Sequence, residues 1–305
     1  MKKALIIINA FACGEGQTNK ISRLTEEFGV LGVTMDVRSN VDTVCISNNE
    51  IVTNFRGYDF VIYLDKDKHI AEMIERAGYT VFNSSQSLIL SDDKMCTYIT
   101  LANNGINIPK TIISPLNYSV EYDCQPFLDY VCSQLSFPII VKQCFGSLGA
   151  QVWLINDRQQ LESKYHLLRG LPHIYQQFIS TSKGRDTRVI LVNKKVVAYM
   201  QRYNANDFRS NIETGGQGSV CELPDSYRAM AEKCATILNM DYCGIDILSG
   251  ENGRPVLCEV NGNAFFKGIE SVTGINVASI YARHIYDTIY GKDNNSKCAS
   301  NNDNK

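Results

Sequence analysis

Two short apolar segments near residue 250 each carry a single carboxylate, and they constrain the fold more than any other feature. Asp246 lies within Gly244–Leu248, and Glu259 lies within Val256–Val260. Asn252-Gly253 between them favours a two-residue type I′ turn, which predicts a β-hairpin whose strands are paired symmetrically about this dipeptide. In that register Asp246 and Glu259 face each other directly.

Two opposed carboxylates among apolar residues repel each other unless a positive charge lies between them. Asn261 is two residues beyond Glu259 and therefore lies on the same strand face. Oxygen ligands from Asp, Glu and Asn suit Mg²⁺ or Mn²⁺, which complete their shells with water and phosphate. The alternative is that Asp246 and Glu259 point to solvent and pair with lysines. The apolar flanks and the nearby Asn favour a metal site made of Asp246, Glu259 and Asn261.

The composition is that of an ordinary globular protein and excludes several classes of partner. The formal net charge is -2 and the hydrophobic share is 44%, so nothing favours nucleic acid or a membrane as partner. Eleven cysteines without a C-x-x-C pair fit neither a disulfide framework nor a zinc site and are predicted to be reduced. The apolar run Ala4–Ile8 is shorter than a signal-peptide core. These features predict a cytoplasmic protein.

Cationic residues near glycines supply candidate phosphate contacts. Lys142 ends a predicted strand and precedes Gly146-Ser147-Leu148-Gly149, and backbone N–H groups of a glycine loop can approach phosphate oxygens. Lys94 follows the predicted cap Ser91-Asp92-Asp93 of a helix ended by Gly105, where the helix dipole disfavours a cation unless an anion binds. The alternatives, a simple hairpin turn and a solvated lysine, stay open on this argument alone.

A series of arginines follows in the next strands. Arg188, Arg202 and Arg209 accompany Asp186 and Asn211, and a guanidinium group offers planar, forked donors to phosphate or carboxylate. The same arginines could equally be solvated or paired with carboxylates. Their meaning therefore depends on the neighbouring motifs.

The order of these motifs is more specific than any one of them. Along the chain the sequence reads Ser91-Asp92-Asp93-Lys94; Pro138–Lys142 with Gly146–Gly149; Tyr175–Ile179 with Gly184–Arg188; Asp207–Asn211 with Gly215-Gly216; Gly244–Leu248; and Cys258–Asn263. In this order the chain resembles the RimK-like branch of the ATP-grasp superfamily over about residues 85–290.

The resemblance implies an α/β and α+β architecture. A pre-ATP-grasp α/β domain is expected over 1–90 and an ATP-grasp domain over 91–290. The latter would contain a lid subdomain at about 118–180 and a C-terminal antiparallel-sheet subdomain. Strands such as Ala4–Ile8 and Phe60–Leu64 alternate with helical windows in the first domain. The Asn-, Ser- and Lys-rich segment 291–305 is predicted to be a disordered tail.

The resemblance also implies roles for individual residues. ATP would be contacted by Lys94, Lys142, Gly146, Ser147, Gly149, Gln177, Phe178, Ile179, Asp186, Arg188, Arg209, Ser210 and Asn211. The backbone of Gln177–Ile179 would form the hinge that reads the adenine edge. Lys142 and Arg202 would be catalytic, with Arg202 near the transferred phosphate. Asp246, Glu259 and Asn261 would hold two Mg²⁺ or Mn²⁺ ions.

The implied activity is ATP-dependent ligation of a carboxylate to an amine through an acyl phosphate, with glutamate or another amino acid as one substrate. Small-molecule or peptide substrates are expected, and the oligomeric state stays open, a homo-oligomer included. Gly262–Gly268 departs from the Asn-Pro-Gly pattern of many relatives, which puts glutamate addition in doubt.

Three rival functions remain beside glutamate addition. A ligase for other small molecules, such as a dipeptide or a cofactor tail, would use the same site. A non-catalytic nucleotide-binding protein would have lost a metal ligand. A dinucleotide-dependent oxidoreductase would need a glycine fingerprint after the first strand, which Gly14–Ile21 does not provide.

Overall fold

The computed structural model describes residues 1–12, 14–119, 123–212 and 215–299, with side chains as far as residue 291. The elements of its first part are β1 (Lys2–Ile8), α1 (Glu15–Val30), β2 (Val33–Ser39), β3 (Val44–Ser47), β4 (Glu50–Thr53), β5 (Phe60–Leu64), α2 (Lys68–Arg76) and β6 (Val81–Phe82). Four of these strands form a parallel sheet in the order β2-β1-β5-β6. Strands β3 and β4 pair only with each other, as an antiparallel hairpin.

Both faces of the parallel sheet are buried, which explains the unbroken apolar run of β1. Ala4 and Ile6 pack in one cluster with Leu24 and Phe28 of α1. Leu5 and Ile7 point to the other face and pack in a second cluster with Ala71 and Ile74 of α2. Because successive strand residues alternate between faces, helices on both sides require apolar residues at every position.

Two consecutive helices lead into the second part, α3 (Ser85–Asp92) and α4 (Lys94–Leu101). The prediction of Ser91 as the helix cap is wrong, because Ser91 lies within α3. The N-cap of α4 is Asp93, whose side chain accepts a hydrogen bond from the backbone N–H of Met95 at 2.8 Å. Helix α4 also ends at Leu101, before Gly105. Lys94 is the first residue of α4, so the prediction that Lys94 lies in the first turn of its helix is confirmed.

A second, antiparallel sheet has the order β7-β10-β8-β9. Its elements are β7 (Thr111–Ile113), α5 (Gln125–Gln134), β8 (Ile139–Gln143), β9 (Val152–Ile155), α6 (Arg158–Leu168) and β10 (His173–Gln177). The two helices cover one face, where Leu128 and Leu161 pack with Val141 and Tyr175. Strand β7 begins before residue 118, so the sheet extends beyond the predicted lid boundary.

A third sheet, also antiparallel, has the order β13-β12-β11-β14-β15. Its elements are β11 (Arg185–Val192), β12 (Lys195–Tyr203), β13 (Gln217–Ser219), α7 (Asp225–Ile237), β14 (Tyr242–Ser249), β15 (Pro255–Asn261), α8 (Lys267–Thr273) and α9 (Val277–Ala299). Leu191 and Ile245 pack with α7, whereas Ile190 and Ala198 pack in the cluster that contains α9. Helices therefore cover both faces of this sheet too.

The predicted combination of an α/β part with largely antiparallel α+β sheets is confirmed. The predicted tail is corrected over its first residues, because α9 continues to Ala299, while 300–305 lie outside the described residues. A polar composition suggested disorder, but a helix that has already formed extends at little cost per residue. Within the described ranges, no helix has both the length and the apolar character needed to cross a bilayer.

Candidate active site

Residues of the second and third sheets line one cavity of about 770 Å³, a volume that includes the open space at its mouth. The lining includes the apolar side chains of Ile140, Phe178 and Leu248 and the charged groups of Lys94 and Glu259. A ligand with both a flat apolar part and an anionic part matches this lining. The lining residues are Lys94, Pro109, Ile140, Lys142, Gly149, Val152, Gln176, Gln177, Phe178, Ile179, Ser182, Arg185, Asp186, Phe208, Arg209, Ser210, Asn211, Asp246, Leu248, Cys258 and Glu259.

The hairpin of β14 and β15 places Asp246 directly opposite Glu259, as predicted, but by a different route. The predicted two-residue turn at Asn252-Gly253 is not formed. Glu251–Gly253 forms a 3₁₀ turn instead, and the N–H of Gly250 donates to Arg254 O at 2.8 Å. This longer turn shifts the register by one residue. A bulge at Cys258 restores it, because pairing passes from Ile247–Leu257 to Asp246–Glu259.

The bulge also turns a backbone carbonyl toward the charged end of the cavity. Cys258 O accepts from the hydroxyl of Tyr98 at 2.6 Å and lies 3.5 Å from Nζ of Lys142. Cys258 itself lines the cavity. The irregularity therefore contributes an acceptor beside a lysine that a regular strand would keep within its ladder.

Glu259 lies among three lysines from different parts of the chain. Nζ of Lys94 lies 3.1 Å from its carboxylate. Burial raises the pKa of Glu259, but Lys94, Lys142 and Lys66 outweigh it and lower the pKa to about 2. For Lys94, burial lowers the pKa, and the charge of Glu259 reverses this, so the pKa is raised above its usual value. Both side chains are thus charged at neutral pH.

Asp246 is surrounded by arginines rather than lysines. Arg188 grips it with two bonds, one of them 2.9 Å from Nη2 to Oδ2, and Nη2 of Arg202 also lies 2.9 Å from Oδ2. Arg202 bonds Asp186 as well, with Nε 2.7 Å from Oδ1. Burial and the nearby carboxylates of Asp186 and Glu259 raise the pKa of Asp246, and the two arginines act in the opposite direction.

The charges around the cavity fit a polyanion accompanied by a cation. Among the described side chains here, cations outnumber carboxylates, so an anionic ligand would balance the site. The cations are Lys94, Lys142, Arg185, Arg188, Arg202 and Arg209, and the carboxylates are Asp186, Asp207, Asp246 and Glu259. A divalent ion can in turn replace an arginine or lysine beside the oxygens of Asp246 and Glu259.

The predicted phosphate loop connects β8 to β9, but only part of it reaches the cavity. Gly149 lines the cavity, whereas Gly146 and Ser147 lie outside the lining. Gly149 has φ +71°, and a Cβ there would lie 3.1 Å from Cδ of Arg209, so the close approach requires glycine. Gly146 O accepts from Nζ of Lys66 at 3.1 Å, which ties the loop to the N-terminal domain.

The other predicted residues divide into two groups. Hinge residues Gln177, Phe178 and Ile179 line the cavity, as do Asp186, Arg209, Ser210 and Asn211. Asn261 lies outside the lining, and its side-chain oxygen accepts from the N–H of Asn263 at 2.9 Å. Arg188 and Arg202 lie outside the lining too, and both form ion pairs with Asp246.

Sequence reasoning missed several residues that the structure brings to the site. Arg185 and Cys258 line the cavity, and Lys66 acts on Glu259 through its charge. Arg185 stands next to Asp186 in the motif Gly184–Arg188 quoted above, so one more residue of that motif would have included it. Lys66 follows β5 in the first domain and belongs to none of the quoted motifs, so only the fold reveals it.

Comparison with known proteins decides the family. The RimK-like ATP-grasp domain matches residues 91–285, which includes every residue predicted for the site. The chain belongs to the RimK-like ATP-grasp family. The resemblance stated from the motifs is therefore confirmed.

Named relatives of this family member include ligases and synthases. The chain is 32% identical to human beta-citrylglutamate synthase B over 77% of its own length and 62% of that protein. It is 31% identical to human N-acetylaspartylglutamate synthase A, over 72% of its own length and 55% of that protein. It is 34% identical to a probable alpha-L-glutamate ligase of Klebsiella pneumoniae, over 67% of each. The chain thus spans little more than half the length of the two human relatives.

Solved structures of low sequence identity share the fold. A RimK domain ATP-grasp protein from Sphaerobacter thermophilus superposes with a TM-score of 0.70 at 16% identity, covering 92% of this chain and 98% of that one. D-alanine–D-alanine ligase from Bacillus anthracis, solved with ATP, gives a TM-score of 0.69 at 17% identity, covering 97% and 100%. The match covers nearly the whole chain, and so extends to residues before 85, which the motifs alone did not reach.

Proposed function

We propose that this ATP-grasp protein joins a carboxylate to an amine at the expense of ATP, through an acyl phosphate. The observation that carries the proposal is that the opposed pair Asp246 and Glu259 and two buried lysines, Lys94 and Lys142, line the same cavity. The names of the relatives support it, since they describe synthases and ligases of glutamate-containing products.

We propose one orientation of ATP in the cavity. The adenine ring would lie against the apolar wall of Ile140, Phe178 and Leu248, with its edge toward the backbone of Gln177–Ile179. The phosphates would then reach Lys94 and Lys142, and the cationic side of the cavity balances their charge. Asp186 would face the ribose side, and Gly149, Arg209, Ser210 and Asn211 would lie along the nucleotide, as proposed from the motifs.

The donor set suits magnesium. Asp246, Glu259 and Asn261 supply only oxygen ligands, which is what Mg²⁺ prefers, and Mn²⁺ accepts the same set. We propose that these three residues hold two such ions, whose role is to neutralise the charge of the transferring phosphoryl group. Arg188 and Arg202, which contact Asp246 in the structure, are then released toward anionic oxygens.

The proposed reaction has two steps. A carboxylate oxygen of the acid substrate attacks the γ-phosphorus of ATP, and ADP leaves. The amine then attacks the acyl carbon, phosphate leaves, and the amine gives up a proton as the amide forms. Lys142 and Arg202 stabilise charge during both steps. Burial raises the pKa of Cys144, near the phosphate loop, to about 12, so a thiolate nucleophile is not part of the proposal.

We propose a small carboxylate or peptide as the acid and glutamate or another amino acid as the amine. A dipeptide or a cofactor tail is the second candidate product, because Gly262–Lys267 differs from the pattern of many relatives. Nucleic acid and membranes are not among the proposed partners. The cysteines with described side chains are all free, which supports a reducing compartment such as the cytoplasm.

A coupled screen tests this function. The full chain is incubated with ATP, Mg²⁺ and pairs of small carboxylates and amino acids, glutamate included, while ADP release is recorded and products are identified by mass spectrometry. ADP release that requires both substrates, with an amide product, is expected. Nucleotide binding without turnover for any pair would favour a non-catalytic role.

A further inference from the structure

Three different metal-binding side chains meet in the helical layer over the second sheet, away from the nucleotide cavity. Cys124 lies at the N-cap of α5, and Glu162 and His166 lie on α6. The thiol sulphur, a carboxylate oxygen and an imidazole nitrogen all lie within 4.8 Å of one another. None of the three residues lines the nucleotide cavity.

Helix geometry fixes two of these groups side by side. Glu162 and His166 are four residues apart, so they share one face of α6, and Nε2 of His166 lies 3.9 Å from Oε1 of Glu162. The neighbouring Gln125 donates from Nε2 to Glu162 Oε1 at 2.7 Å. This bond holds the carboxylate against the start of α5, next to Cys124.

The site combines a buried ligand with access from solvent. Cys124 is 7% exposed, whereas half of the His166 side chain is exposed. Cys124 also lines a second, open cavity together with Asp123 and Tyr165. Cys124 is thus open to an ion from solution on the side of this cavity, and the half-exposed imidazole of His166 lies beside it at the protein surface.

The ligand types select a different ion from the one proposed for the nucleotide site. A thiolate, an imidazole and a carboxylate suit Zn²⁺ and similar transition metals, while Mg²⁺ prefers oxygen alone. Ligands of a tetrahedral zinc ion lie roughly 3.3–3.8 Å apart, given bonds of about 2.0–2.3 Å. The observed separations need only small side-chain movements to reach that geometry.

We propose that Cys124, Glu162 and His166 form a transition-metal site of the zinc type that joins the start of α5 to α6. Water completes the coordination, and the ion replaces the thiol proton, which passes to solvent. The spacing of the cysteines along the sequence excluded a zinc site because that criterion relies on C-x-x-C pairs. Here the ligands come from two helices and three residue types.

Cobalt titration tests the site, since Co²⁺ accepts zinc ligands and its bond to a thiolate absorbs in the near ultraviolet. The full chain, freed of metal, is titrated with Co²⁺, then with Zn²⁺. We expect one equivalent of Co²⁺ to give the thiolate-to-cobalt band and Zn²⁺ to abolish it. Excess Mg²⁺ should leave the band unchanged.

Matched variants localise the signal. His166→Ala, an exposed position that leaves the fold intact, should weaken Co²⁺ binding at least about tenfold, since even residues behind a metal ligand change affinity by 10–100-fold. Cys124→Ser should abolish the band. Cys45→Ser and His69→Ala, both at exposed residues, should keep it, and so should Glu259→Gln at the nucleotide site.

Two results would overturn the proposal. One is the absence of a charge-transfer band in the wild-type chain. The other is a band and an affinity that His166→Ala leaves unchanged, which would place the bound cobalt elsewhere. Circular dichroism shows whether Cys124→Ser is folded. If Cys124→Ser is unfolded, the result with His166→Ala alone decides whether the site exists.

Discussion

Two regions of the molecule bury a lysine, and the two lysines differ in what surrounds the ammonium group. Lys142 at the nucleotide cavity is 7% exposed, and Lys20 of α1 is 2% exposed. Nζ of Lys20 donates to Asn263 Oδ1 at 2.8 Å and to Ala264 O at 3.0 Å, and it lies 4.4 Å from the centre of the Tyr242 ring. Its hydrogen-bond acceptors are neutral, whereas Lys142 lies in the field of Glu259.

The difference shows that the partner, rather than burial, sets the charge of a buried lysine. Burial alone lowers the pKa of Lys20 to about 7. Burial also lowers the pKa of Lys142, but Tyr98, Cys258 and Glu259 more than compensate, and the pKa rises above its usual value. The cavity thus keeps a permanent cation for an anionic ligand, while Lys20 holds the loop at Asn263 and Ala264 against α1.

Removing the carboxylate of Glu259, which lies beside the cavity lysines, should have the largest effect on activity. We expect Glu259→Gln to reduce turnover at least about 10²-fold, because a metal ligand is lost and Lys94 loses its counter-charge. ADP release in the presence of Mg²⁺ and both substrates measures it. Glu232→Gln, at a partly exposed carboxylate paired with the exposed Lys195, is the control and should remain active. Near-normal turnover of Glu259→Gln would contradict the assignment.

Removing the cation should weaken nucleotide binding. Hydrogen bonds to charged groups contribute about 1.5–3 kcal/mol, so Lys142→Met should raise the Kd for Mg-ATP by roughly 10- to 100-fold. Titration calorimetry measures the Kd. Lys195→Met removes an exposed lysine as a control and should leave the Kd unchanged. An unaltered Kd in Lys142→Met would mean that Lys142 lies outside the phosphate site.

Lys20 should make the free energy of unfolding depend on pH between neutral and alkaline solution. Its pKa is about 7 in the folded chain against 10.5 as the ordinary value, so between these values the unfolded chain binds the extra proton and stability rises with pH. Relative to Lys20→Met, the wild-type free energy of unfolding should increase by on the order of 1–2 kcal/mol between pH 7 and pH 9. Urea unfolding at each pH measures it. A constant difference would show that Lys20 stays charged.

Glu259 should give a smaller effect at acid pH, where stability should likewise rise with pH. Its pKa is about 2 in the folded chain against an ordinary 4.5, so its contribution to stability is complete above pH 4.5 and is lost as the pH falls toward 2. Since the side chain is 33% exposed, we expect on the order of 1 kcal/mol. The stability difference between wild type and Glu259→Gln should shrink from pH 6 to pH 3. A difference that grows would contradict the depressed pKa.

The sequence predicted pairings that follow from local pattern and missed those that depend on the fold. Asp246 opposite Glu259 was predictable from two apolar strands around a turn, even though the turn was wrong and the bulge at Cys258 restored the register. The sequence pattern does not predict the bulge, because a bulge depends on packing and on where the turn places the strands. Lys66 and Lys20 reach their partners from the first domain, through contacts between residues far apart in the chain.

The ion pairs of the arginines illustrate the same limit. The sequence predicted Arg188 as a nucleotide contact and Arg202 as a catalytic group, and the structure shows both paired with Asp246. Sequence motifs describe the residues that meet a ligand, whereas the structure shows which internal partners those residues have. The predicted roles of both arginines therefore remain predictions.

We propose that Asp246, Glu259 and Asn261 hold divalent ions beneath the phosphates of ATP. A crystal structure of the full chain with Mg²⁺ and a non-hydrolysable ATP analogue tests it most directly. We predict Mg²⁺ bound by oxygens of these three residues, with the phosphates beside Lys94 and Lys142 and the adenine at Gln177–Ile179. A nucleotide bound elsewhere, or metal ions held without Asp246 and Glu259, would contradict the account.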